Sequence, residues 1–184
     1  IIQTAVLHAQ FEMIHPFLDG NGRMGRLLIT LFLASKKILH TPCLYISAYL
    51  QRHRGAYYAS LAKISKNNDW NTWISFFLRA VVEHSKANAS LLMKMTDLYE
   101  ISKTQFAEAT NSSLAMELLD YLFAQPIFTV PNLINQTKVK ASKATLLLAV
   151  QKLEKAGLVT KISEGRGRRP TVWKFGALVD LIQD

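Results

Sequence analysis

Residues His15 to Arg26 read HPFLDGNGRMGR, and the reading of the whole chain starts from them. Pro16 has no backbone N–H, and its ring disfavours helix in the residue before it, so a helix arriving from the N-terminus ends near His15. Gly20 and Gly22 open backbone conformations that side chains resist and let a ligand approach the main chain closely. From Arg23 the sequence is helical again, as RMGRLLITLFLASKKI. The local order is therefore helix, tight polar loop, helix. The N–H groups at the start of the second helix have no partner within it, and the helix dipole favours negative charge, so the loop reads as an anion site. Arg23 and Arg26 stand three apart on roughly one face, and each guanidinium can grip phosphate oxygens at two points. Asp19 beside phosphates makes sense with Mg²⁺ between them, because Mg²⁺ takes one or two carboxylates together with substrate phosphates. His15 can take a proton and suits a general base. Together these residues describe Mg-nucleotide phosphates held against a base. No GxxxxGK[ST] loop occurs in the chain.

The stretch resembles the Fic-domain signature HxFx(D/E)GNGRxxR at every specified position. A Gly-Asn-Gly turn alone is usually only a turn, and a His before Pro is usually only a helix end; the specificity lies in the combination at this spacing. The resemblance implies a protein adenylyltransferase. His15 would deprotonate a hydroxyl of a target protein, and that oxygen would attack the α-phosphate of ATP, transferring AMP and releasing pyrophosphate. Phe17 would anchor the loop in the core, and Asp19 would coordinate Mg²⁺. Gly20, Asn21 and Gly22 would form the anion-binding turn, and Arg23 and Arg26 would hold the β- and γ-phosphates. The flanking HAQFEMIHPF and LYISAYLQRHRGAYY also look Fic-like, which extends the resemblance over roughly residues 1–110. The family fold normally has several helices and a β-hairpin flap before its signature, whereas fourteen residues precede His15 here. The resemblance thus implies an N-terminally truncated Fic core, with an apolar face for a partner chain, an oligomer such as a homodimer, or a further segment to cover.

At 184 residues the chain fits one or two domains with a real core. Its apolar runs, such as LLITLFLA, are too short to span a bilayer, and Ile1-Ile2 opens a helical pattern with no signal-peptide features. Cys43 is the single cysteine, so no intrachain disulfide forms, in keeping with a cytoplasmic protein without a membrane partner. The formal net charge is +9, and both halves contribute: twelve Lys and Arg less seven acids over 1–113, ten less six over 114–184. Such a balance favours anionic partners without choosing among nucleotide, nucleic acid and acidic protein.

Along the chain, residues 1–14 read as one buried helix with the stripe Ile2, Ala5, Val6, Ala9 and Met13. His8 and Glu12, four apart, either pair or flank the site, and a helix-side polar pair is the favoured reading. Residues 23–38 are apolar almost all round and read as a central buried helix, with Lys36 and Lys37 suited to its end. Residues 44–66 read as one or two helices with Ile46, Tyr49, Leu50, Tyr57, Leu61 and Ile64 inward. Of His53, Arg54, Tyr57 and Tyr58, an adenine pocket is one reading and the core the favoured one. Asp69 caps a helix running toward Ala109, with a break expected near 86–89 where its apolar stripe thins.

A second domain begins at 111. A helix over 115–124 stops at Gln125-Pro126, and a short helix follows with Thr129 before it and Pro131 in its first turn. A third helix is capped by Ser142 and ended by Gly157. LVTKI and TVWKF are strands around SEGRGRRP. This order resembles a winged helix-turn-helix. Residues 134–175 carry seven Lys and three Arg against two Glu, and Lys138, Lys140, Lys143, Arg166, Arg168 and Arg169 are the candidates for DNA phosphate contact. TKISEG, residues 160–165, fits the (S/T)xxxE(G/N) string of the Fic inhibitory helix, but the strand pattern puts Glu164 at a hairpin, so the match reads as accidental.

The expected fold is mostly α: a partial Fic-type helical core with a linker helix over 1–110, and a small α+β winged-helix domain over 111–184. The leading function is adenylylation of a Ser, Thr or Tyr hydroxyl on a target protein, with ATP and Mg²⁺. The alternatives are Fic-related transfer of another phosphate-containing group, removal of AMP, or a DNA-binding regulator with a nucleotide-sensing domain.

Overall fold

The computed structural model describes residues 1–39, 41, 44, 46–136, 141–167 and 169–183. Among them the chain is mostly helical with one small three-stranded sheet. Contacts divide it into two compact units, 1–89 and 90–184.

The first unit contains α1 (Ile2–Ile14), α2 (Asn21–Ser35), α3 (Ser47–Arg52), α4 (Arg54–Asn67) and the start of α5 (Trp70–Thr110). Its core gathers Ala5, Ala9, Ile29, Leu33, Ile46, Leu50, Tyr57, Ile64, Trp73 and Phe77. The inward positions expected in 44–66 are met by Ile46, Leu50, Tyr57 and Ile64, with Tyr49 and Leu61 packed against them. The stripe expected of α1 needs correcting. Ile2 and Met13 are exposed, and the buried face is Thr4, Ala5, His8 and Ala9. Small side chains let α1 lie close to α2 at Gly25, and that approach selects the face. The second helix is not buried all round either: Gly25, Ile29, Thr30 and Leu33 point inward, while Met24, Leu27 and Leu31 are exposed.

Asp69 caps α5 as expected, accepting from the Thr72 N–H at 3.0 Å and the Thr72 hydroxyl at 2.6 Å. The break expected near 86–89 is absent; α5 runs unbroken for 41 residues, about 60 Å at 1.5 Å per residue. No Pro or Gly interrupts it, and a thinning apolar stripe does not by itself end a helix. The division by contacts nonetheless falls there, at Ala89–Ser90, and not at residue 111.

The second unit holds the rest of α5, then α6 (Ala115–Ala124), β1 (Ile127–Phe128), α7 (Val130–Gln136), α8 (Lys143–Lys155), β2 (Thr160–Ser163), β3 (Val172–Lys174) and α9 (Gly176–Gln183). The sheet is antiparallel in the order β1-β3-β2, with Phe128 opposite Trp173 and Lys161 opposite Trp173 on the other side. Phe106, Leu118, Leu119, Leu122, Leu133, Leu146, Leu153, Trp173 and Phe175 fill its core. Helices α6, α7 and α8 and the two later strands fall where the sequence puts them. Thr129 and Ser142 accept from the N–H groups of Asn132 and Thr145, and Gly157 turns with φ +76° after α8. Strand β1 and helix α9 are additions. No helix among the described residues is long and apolar enough to cross a membrane.

Candidate functional site

The backbone between α1 and α2 is shaped by two left-handed residues. His15 ends α1 at φ 50°, ψ 56°, its N–H still bonded to the Phe11 carbonyl at 3.0 Å. A left-handed non-glycine residue is uncommon and costs conformational energy that its surroundings must offset. Gly20 opens α2 at φ +83°, where any side chain would be strained.

Just after Gly20, Asn21 acts as a staple. Its side-chain oxygen accepts from the Phe17 N–H at 2.9 Å, and its NH₂ donates to the Phe17 carbonyl at 2.6 Å. The Asn21 side chain is buried, and both bonds are part-buried. The loop is thus anchored through the Phe17 backbone. The Phe17 ring, expected in the core, is 49% exposed and meets the Phe11 ring at 6.3 Å. An amide fixes a tight loop through direction, which burial of a ring alone does not supply.

The His15 imidazole is exposed. Its Nδ1 lies 3.4 Å from the Glu12 carbonyl. A carbonyl only accepts, so a hydrogen bond there needs the Nδ1–H tautomer, in which Nε2 is the ring's acceptor. Asp19 is almost fully exposed, 3.7 Å from Arg23 Nη2, and that pair is open to solvent on both sides. The Arg26 guanidinium lies against the backbone at Gly22, where a Cβ would stand 3.1 Å from Nη1. Among the described residues no protein group accepts from the N–H groups of Asn21, Gly22 or Arg23, and Gly20 offers no capping side chain. The start of α2 thus gathers three N–H groups without protein acceptors and two guanidiniums, an arrangement that suits an anion.

Two cavities adjoin Arg26. One of about 210 Å³ is lined by Arg23, Arg26, Leu27 and Ser47. The other, about 190 Å³, is lined by Arg26, Ser47, Leu50, Gln51, Arg54, Tyr57 and Tyr58. The two readings of the tyrosines divide here. The Tyr57 ring is core, while Tyr58 is half exposed with Arg54 5.5 Å from its ring centre.

Behind α2 lies a polar cluster that the sequence reading set aside as a helix-side pair. His8 is fully buried, and its Nδ1 meets the Gly25 carbonyl at 2.9 Å and its Nε2 the Tyr57 hydroxyl at 3.0 Å. Burial pushes the His8 pKa from 6.5 down to about 4, and Arg26 adds to the fall. Burial also raises the Glu12 carboxyl, with Arg26 and His15 pulling it partly back. Glu12 Oε1 has no hydrogen-bond partner and lies 4.0 Å from His8 Nε2. The signal that marks this cluster is the set of small residues Ala5, Ala9 and Gly25, which permit a close helix crossing.

In the second unit, Lys143, Arg166 and Arg169 are exposed. Arg166 and Arg169 pair across the turn between β2 and β3, with the Arg169 N–H on the Arg166 carbonyl at 3.1 Å. Lys138, Lys140 and Arg168 lie outside the described residues. Glu164 follows β2 in that turn, 3.8 Å from Lys161 and on no helix, as the strand pattern required.

Residues 1–33 match the family model for the Fic/DOC family. A probable protein adenylyltransferase of Aquifex aeolicus is 40% identical over 58 residues, which is 29% of this chain and 18% of that protein. A Fido domain-containing protein of Dictyostelium discoideum is 67% identical over 30 residues, 16% of this chain and 20% of that protein. The chain thus aligns with about a fifth of the length of these curated relatives.

Proposed function

We propose, for a chain whose opening 33 residues are Fic/DOC-family sequence, that it transfers AMP from ATP to a Ser, Thr or Tyr hydroxyl of a target protein. The observation that carries this reading is the open start of α2 in the loop that follows an exposed imidazole: three N–H groups without protein acceptors, Arg23 and Arg26 on the same turn, and His15 ahead of them in the chain. His15 Nε2 takes the hydroxyl proton. The oxygen attacks the α-phosphorus, the bond from that phosphorus to the bridging oxygen breaks, and pyrophosphate leaves. Arg23, Arg26 and the amides hold the β- and γ-phosphates while that charge builds.

Asp19 fits Mg²⁺ as a single open carboxylate. Among the described residues no group of three or more His, Cys, Asp or Glu forms a metal cage, and Mg²⁺ completes its shell with phosphates and water. The ion would supply charge neutralisation at the phosphates. The aligned relative's name supports the reaction class. Removing the base is expected to lower labelling of a cell extract by α-labelled ATP about 10²–10⁴-fold in His15→Ala, with the melting temperature unchanged. Equal labelling by the two proteins overturns the reading. The cradle binds a diphosphate without fixing which phosphorus is attacked, so a panel of labelled nucleotides separates AMP transfer from transfer of another phosphate-containing group, and loss of AMP from a modified target marks the reverse reaction.

A second reading rests on the exposed Lys143, Arg166 and Arg169 around α8 and the β2–β3 turn. We infer a winged helix-turn-helix that contacts DNA phosphates, which localises the enzyme or senses its state. Duplex binding that weakens steeply with salt supports it; no retardation of any duplex at low salt removes it.

A further inference from the structure

We propose that His8 and Tyr57 are positioning residues for the phosphate cradle: one imidazole ties the carbonyl just before Arg26 to a hydroxyl in the wall of the cavity that Arg26 lines. This rests on the nucleotide reading above. The Gly25 carbonyl can only accept, so His8 Nδ1 carries the proton and donates to it at 2.9 Å. In the neutral ring Nε2 is then an acceptor, and the Tyr57 hydroxyl donates to it at 3.0 Å. Burial keeps the ring neutral at physiological pH. Trp73 stacks on it, with centroids 5.8 Å apart and planes 20° apart.

The imidazole reads the backbone of α2 directly, because Gly25 has no side chain. A Cβ there would stand 3.1 Å from His8 Cε1 and collide with Glu12 Oε1. Arg26 follows Gly25 and shares its cavity with Tyr57. An apolar side chain of similar size would fill the same volume, but it would not fix the direction of α2 at both ends of a ring. Directional ties of this kind matter where small displacements of a binding group cost affinity.

The test compares Tyr57→Phe, His8→Asn and a control, Thr30→Val, in the full chain. Thr30 is also on α2, and its buried hydroxyl donates to the Leu44 carbonyl at 2.6 Å without touching His8. Each variant is measured for melting temperature and for KM and kcat with Mg-ATP. Tyr57→Phe is expected to raise KM about tenfold with a smaller change in kcat. His8→Asn keeps a donor for Gly25, and its KM should rise no further than that of Tyr57→Phe. Thr30→Val should lower the melting temperature and leave KM alone. No rise in Tyr57→Phe, or equal rises in Tyr57→Phe and Thr30→Val, overturns the proposal. Should wild type neither bind nor use Mg-ATP, the nucleotide reading fails on its own. The pairing is then decided by ¹⁵N spectra of the His8 ring. An Nδ1–H tautomer that Tyr57→Phe disturbs supports it, and an identical ring pattern in the two proteins sinks it.

Discussion

Two helices of this chain begin in opposite ways. Helix α8 closes its own start: Ser142 is extended at φ −67°, ψ 154°, and its hydroxyl takes the Thr145 N–H at 3.1 Å. Helix α2 begins at a left-handed glycine with nothing to offer, and the one nearby amide side chain, Asn21, is turned back onto Phe17. Asp69 does for α5 what Ser142 does for α8. Side chains cap α5, α7 and α8, whereas α1, α2, α3, α4 and α6 have no side-chain cap; what sets the start of α2 apart is Arg23 and Arg26 beside it, which suits it to an outside anion. A capped start contributes stability; an open start with guanidiniums beside it is suited to bind an anion.

The contrast breaks most visibly with pH. The start of α2 is backed by the buried, neutral His8, whose pKa drops from 6.5 in the open chain to about 4 in the fold. Between those values the unfolded chain binds more protons, so stability is lost as pH falls through the window from 6.5 to 4. At about 1.4 kcal/mol per pH unit the loss is on the order of 3 kcal/mol. Glu12 runs the other way, since a raised carboxyl costs stability as pH rises above 4.5. Subtracting the melting profile of His8→Gln from that of wild type isolates the histidine; a flat difference across the window shows that His8 is not buried as described. No such dependence is expected from the start of α8.

Next in size is Arg26→Ala. A charge-assisted bidentate contact with phosphate is worth roughly 1.5–3 kcal/mol, so Mg-ATP binding should weaken about 10- to 100-fold while the fold persists. Unchanged binding by calorimetry would make the open start of α2 an ordinary solvated one. Gly22→Ala sharpens the point. Its Cβ displaces only the flexible end of Arg26, and alanine favours helix over glycine by up to about 1 kcal/mol. This variant should melt no lower than wild type and bind Mg-ATP several-fold more weakly. Lower stability with intact binding would reverse the assignment of Gly22.

How much of this was legible beforehand depends on what encodes it. The loop is written in local chemistry, Pro, Gly and Asn at fixed spacing, and it could be read directly. So could the caps at Asp69, Thr129 and Ser142. The inner face of α1 could not: hydropathy favours Ile2 and Met13, whereas the face is chosen by where Ala5, Ala9 and Gly25 allow backbones to approach. His8 was hidden for the same reason, since its partners Gly25 and Tyr57 are 17 and 49 residues away. Strand β1 is two residues long and exists because β3 offers it an edge, a tertiary fact that two residues cannot announce.

The smallest expected effect is also the cleanest control. Ser142→Ala leaves the Thr145 N–H without its acceptor on an exposed helix start, which typically costs about 1 kcal/mol. Because Ser142 belongs to the unit of residues 90–184, the loss should appear in the unfolding of that unit, and Mg-ATP affinity should not move. The equivalent truncation has no counterpart at Gly20, where there is no side chain to remove; there an acceptor from outside the chain, such as an anion, takes the part that the hydroxyl plays at α8. Adding inorganic pyrophosphate with Mg²⁺ should therefore raise the melting temperature of wild type and of Ser142→Ala by equal amounts. Unequal shifts would mean that the two helix starts do not act independently, and the distinction between a start that is capped and one that waits for a ligand would fail.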